Sequence, residues 1–128
     1  MRRAALLLSI AVLLAACNGG TVDQHALSND SKAIDSLACE GALLANQVVH
    51  GATTRPFTRV HAGELATRAS NFEDALSQRP TTPGIEHAVR AEAAKAGRIA
   101  VLLHTLEAAG PTSAAGLKDQ LRAEGGCA

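Results

Sequence analysis

The stretch IDSLACEGALLANQV, running from Ile34 to Val48, decides the fold. Ile34, Leu37, Ala38, Gly41, Leu44, Ala45 and Val48 return every three or four residues, the spacing that lines up one face of an α-helix. The helix is expected to begin at Asn29, Asp30 or Ser31, whose side chains suit the cap position, and to end near His50 before Gly51. Cys39, Leu43 and His50 project from roughly the opposite side, so a second, smaller apolar strip awaits a neighbour.

The same period recurs downstream. A second helix is expected from Phe57 or Thr58 to Arg79, stopped by Pro80, with Phe57, His61, Leu65, Ala69, Phe72 and Leu76 as its buried stripe. A third is expected with Thr82 as cap and Pro83 at its first position, running to Ala109. Its stripe is Ile85, Val89, Ala96, Ile99, Leu103 and Leu106, with Glu92 intruding. Thr112 or Ser113 caps a short fourth helix that carries Ala114, Leu117 and Leu121 and stops at Gly125 and Gly126. Nothing reads as strand. Short connections favour antiparallel neighbours, so the expected fold is all-α: a small up-down-up bundle of three main helices plus a short C-terminal one.

Composition supports helices that approach closely. Phe57 and Phe72 are the only members of the Phe, Tyr and Trp set, so the core is built from Ala, Leu, Ile and Val. Alanine has the best helix propensity and a side chain too small to hold helices apart. The scarcity of aromatics also argues against carbohydrate-binding or base-stacking surfaces.

The start of the chain has a different character. Arg2 and Arg3 precede an apolar run from Ala4 to Ala16 in which Ser9 is the only polar residue. Spanning a bilayer takes about twenty apolar residues, and Asn18, Gly19 and Gly20 end this run too early. A charged head followed by a short apolar run is a secretion signal. Leu14, Ala15, Ala16 and Cys17 close it, and here the chain resembles the bacterial lipoprotein class, whose lipobox is Leu, two small residues and Cys. The resemblance covers about the first twenty residues. It implies that residues 1–16 are removed and that Cys17 carries diacylglycerol as the new N-terminus; apart from this covalent lipid no cofactor is expected. In proteobacterial members Asp after the Cys favours the inner membrane; Asn18 instead leans towards the outer membrane, facing the periplasm.

Cleavage leaves about 112 of the 128 residues, enough for a single core. Residues 17–28, rich in Gly, Thr, Asp and Gln, are expected to form a flexible tether with His25 solvated, and residues 29–128 the bundle. Losing Arg2 and Arg3 from twelve basic residues, against twelve acidic ones, leaves two net negative charges. Nucleic acid is not an expected partner of such a surface. Cys39 and Cys127 remain after lipidation, and in an oxidising compartment an even pair is most simply a disulfide. Two free thiols or a metal pair are the alternatives, the second without any Cys-x-x-Cys spacing to support it.

Candidate chemistry is sparse. The bundle order would bring His50, His61 and His104 to one end, with Glu64 and Glu107 nearby, a ligand set suited to zinc, copper or nickel. Their spacing matches no established metal motif, and exposed or interfacial histidines are the plainer reading. Arg68 is expected to reach Glu92 across the second turn, either as a structural ion pair or as the lining of a ligand cavity. There is no Gly-x-Ser-x-Gly elbow, phosphate loop, Cys-x-x-Cys-His or His-Glu-x-x-His sequence. The expectation is therefore a noncatalytic envelope lipoprotein, anchored to the membrane, that engages a protein in an assembly, accessory or inhibitory role. The competing expectation is a periplasmic binder of a small molecule or metal at the His-rich end or an Arg68/Glu92 cavity.

Overall fold

The computed structural model describes residues 20–128, so the expected signal, Cys17 and Asn18 lie outside the described residues. Four helices follow one another: α1 (Gln24–Val49), α2 (Arg55–Gln78), α3 (Glu86–Leu106) and α4 (Pro111–Gly125). Among the described residues there is no strand, only an isolated bridge between Val22 and Thr81. The all-α bundle expected from the periodicity is the fold.

Local chemistry sets the helix ends. Asp23, in extended conformation, accepts a hydrogen bond from the Ala26 N–H at 2.8 Å and caps α1. Thr54 caps α2, and Pro80 ends it by forcing Arg79 into extended backbone. The expected start of α3 at Thr82 and Pro83 is not observed. Gly84 takes a φ of 99° there, which interrupts the run, and α3 starts at Glu86 after a turn in which the Ile85 N–H reaches the Thr82 carbonyl. At the other end α3 stops at Leu106, short of Ala109. Gly110 rather than Thr112 or Ser113 caps α4, with Pro111 in its first turn.

Contacts between helices fix their order in space. Glu40 meets His61 and Asp30 meets Arg79, so α1 and α2 run antiparallel. Gly63 faces Glu107 and Gly97 faces Glu73, so α2 and α3 do too. Arg98 binds Glu124, and Leu106 clusters with Ala114, which makes α3 and α4 antiparallel. Gly125 lies on Asp35 and Cys39 while Gly41 lies on Leu121, so α4 also runs against α1. The architecture is a four-helix up-down-up-down bundle whose last helix is the shortest, at 15 residues.

Small residues let these helices come close. A Cβ on Gly41 would stand 2.5 Å from Leu103 Cδ2 and 3.3 Å from Leu121 Cδ1, both side chains being fully buried. Ile34, Leu37, Leu65, Ile99, Leu103 and Leu121 fill the larger part of the core. Leu44, Leu106, Ala114 and Leu117 form a smaller cluster toward the end that carries the α1–α2 and α3–α4 loops.

Two further expectations are corrected. The tether over residues 17–28 is not flexible across its described part: α1 starts at Gln24, and Val22 is fully buried. The Val22 N–H donates to the Pro80 carbonyl at 2.8 Å, and its own carbonyl accepts from Thr82 at 3.0 Å. One apolar residue has no period, so only the distant α2–α3 turn reveals its place. In α2 the buried stripe is Thr58, Ala62, Leu65, Ala66, Ala69 and Leu76, rotated from the expected one. Ala62 and Ala66 are fully buried and take the interior. Phe57 is left 54 % exposed, and His61 sits at the flank.

Candidate functional site

The three histidines do not assemble into one centre. His50, at the end of α1, is exposed, and its Nδ1 lies 2.8 Å from the Asn46 carbonyl of its own helix. His61 lies 3.1 Å from Glu40 across the α1–α2 interface and 3.9 Å from Glu64 one turn along. His104 lies 2.7 Å from Glu107. Each imidazole has its own local partner, and among the described residues no group of three or more His, Cys, Asp or Glu side chains is placed to hold a metal.

Arg68 and Glu92 are not paired. The Gly63–Glu107 and Gly97–Glu73 contacts set a register that places Arg68 level with Leu102, well up the helix from Glu92. The late start of α3 at Glu86 produces this offset. Arg68 is exposed, whereas Glu92 faces the α1 side, where Lys95 lies 3.7 Å from it and also binds Asp35. Burial would lower the Lys95 pKa, but Asp35 and Glu92 outweigh it and hold the ammonium above its ordinary value. One carboxylate oxygen of Glu92 is buried without a hydrogen-bond donor.

A turn further along, Arg98 grips Glu124 with two hydrogen bonds of 2.8 and 3.1 Å. The guanidinium keeps the Glu124 carboxyl below the usual carboxylate range. These five side chains tie α1, α3 and α4 together. Beside them the Cys39 and Cys127 sulfurs lie 2.02 Å apart, with Cα atoms at 5.6 Å, so the C-terminal segment is held against the second strip of α1. Gly125 makes this possible, since a Cβ there would stand 2.9 Å from the Asp35 carbonyl.

The large apolar side chains that the bundle exposes lie in one half of it. Leu43, Phe57, Val60 and Val101 are the exposed large hydrophobic residues among those described, at 54 to 68 % exposure. All four belong to the half that carries the α1–α2 and α3–α4 loops. Phe57 stacks on His61 with ring centroids 5.5 Å apart, which leaves its other face open. Val60 lines a shallow groove between α2 and α3 with Arg59, Gly63, Thr67 and His104. At the same end Arg55, Arg59, Thr58 and Glu107 line a cleft of about 240 Å³. Phe57 leaves the buried stripe expected for it, whereas Val60 lies off that stripe, which is the one signal in the sequence for its exposure. No protein-family model, curated protein or solved structure matches the chain.

Proposed function

We propose that this protein is a noncatalytic lipoprotein of the bacterial cell envelope, anchored through lipid on Cys17, which presents its helical bundle to a protein partner in an assembly, accessory or inhibitory role. The observation that carries this reading is the Leu14-Ala15-Ala16-Cys17 lipobox at the end of a charged and apolar leader. Two or three acyl chains anchor a protein almost permanently, so no further membrane device is required. Asn18 favours the outer membrane, with the bundle in the periplasm, where a Cys39–Cys127 disulfide persists.

The contact surface proposed is the open end of α2, with Phe57 and Val60 as apolar anchors. An exposed aromatic ring stacked on His61, with Val60 one turn along, is the composition of a protein-contact patch rather than of a catalytic cleft. The test is a photo-crosslinking side chain placed at Val60 and, as control, at exposed Asp119 in the intact envelope. A discrete adduct from Val60, absent from Asp119 and lost on changing Phe57→Ser, is expected. Equal labelling from the two positions, or none from Val60, would refute the surface.

A further inference from the structure

Where the described chain is pinned sets how the bundle stands on a membrane. The Gly20 carbonyl accepts a 2.9 Å hydrogen bond from Arg79 Nε, and Val22 is clamped between Pro80 and Thr82. Both contacts are to the α2–α3 turn. Only three residue steps separate Cys17 from Gly20, and even fully extended they reach about 10 Å. The polar layer of one bilayer leaflet is itself about 5 to 8 Å thick. A lipid on Cys17 would therefore use most of that reach in crossing the headgroups.

We propose that the end of the bundle formed by Gly20–Val22, the 79–85 turn and the first turns of α1 and α3 rests directly on the phospholipid headgroups. This rests on the reading of Cys17 as lipidated. The opposite end, with Phe57 and Val60, then stands away from the bilayer by the length of α2, about 36 Å for its 24 residues.

The chemistry of this end fits a polar lipid surface. Pro83, Gly84, Glu86, His87 and Arg90 are among its exposed residues on the turn and α3, and none of the four exposed large hydrophobic side chains lies here. The end lies on the headgroups and does not insert. Its charges balance, with Asp23, Asp30 and Glu86 set against Lys32, Arg79 and Arg90. Arg79 is held by the Gly20 carbonyl and lies 3.9 Å from Asp30, and Glu86 accepts from the Gly84 N–H at 2.9 Å. Contact consequently needs no anionic lipid, and zwitterionic phosphatidylcholine suffices.

The chain contains no Trp and no Tyr, so a single introduced Trp is a clean reporter. His87→Trp marks the membrane-facing end, Gln24→Trp marks it independently from α1, and Ala52→Trp marks the far end; all three positions are exposed. Each variant is purified as the processed protein, its acyl mass is verified, and it is reconstituted in phosphatidylcholine vesicles carrying a headgroup nitroxide. With a separation of about 36 Å between the ends, the two near reporters should lose more than about half of their emission and Ala52→Trp less than about a tenth. Adding phosphatidylserine should change neither. Acylated protein in which the three reporters are quenched alike, or Ala52→Trp most, overturns the docking pose and leaves the lipid anchor standing. Protein without acyl mass overturns the anchor and the pose together.

Discussion

Changing Gly41→Ala puts a methyl group where three helices meet. Its Cβ would stand 2.5 Å from Leu103 Cδ2 and 3.3 Å from Leu121 Cδ1. In an open helix the same change stabilises by about 0.5 to 1 kcal/mol, because glycine loses more backbone freedom on folding. Here Leu103 and Leu121 are both fully buried, so neither side chain has solvent to swing into. Overpacking of a well-filled core costs about 1 to 3 kcal/mol, which exceeds the propensity gain. The net expectation is a loss of about 1 kcal/mol, a fall of about 4 to 8 °C in Tm for a domain of this size. Gly116→Ala is the internal control. It lies exposed in α4 with nothing near its missing Cβ, and it should gain about 0.5 to 1 kcal/mol. Thermal unfolding of the two variants by circular dichroism, disulfide intact, reads both signs at once. Gly41→Ala melting as high as the parent while Gly116→Ala rises would refute the close approach of α1, α3 and α4.

Cys127→Ser opens a link between residues 88 apart and should cost about 4 to 5 kcal/mol in urea unfolding, on the chain-entropy account; a loss below about 1 kcal/mol would contradict a closed bond. Glu92→Met removes a buried oxygen that has no donor and should be neutral or stabilising, whereas Lys95→Met leaves Asp35 and Glu92 uncompensated and should cost about 1 to 3 kcal/mol. Equal losses in the two variants would contradict that asymmetry. The folded-state pKa of Glu124 lies below its ordinary value of 4.5, so its pairing with Arg98 stabilises fully above that pH and is lost as pH falls through the depressed value. Glu124→Gln should accordingly cost about 0.5 to 1 kcal/mol at neutral pH, and the difference from the parent should vanish in stronger acid.

Helical period alone makes three of the four buried faces readable in the sequence. Ile34, Leu37 and Leu44, Val89, Ile99 and Leu103, and Leu117 and Leu121 are interior as their spacing implies. In α2 the large side chains mislead, because Ala62 and Ala66 are the fully buried residues and Phe57 lies outward. Val22 was illegible for a different reason: its partners are backbone groups of Pro80 and Thr82, sixty residues away in effect and invisible to local pattern. The expected Arg68–Glu92 pair failed on register, since Gly84 delays α3 and slides its residues relative to α2. The cysteine pair is readable from the cysteine count and the compartment that the leader leads one to expect, but the ionic ties of Asp35, Lys95, Arg98 and Glu124 depend on three helices meeting, which no single segment encodes.

The account stands on the fate of Cys17, and intact mass of the native protein extracted from membranes tests it most directly. The expected species begins at Cys17, lacks residues 1–16 and carries the mass of a diacylglyceryl group, with or without a further acyl chain. A protein that retains Met1, or one that begins at Cys17 or beyond without added lipid, would contradict it.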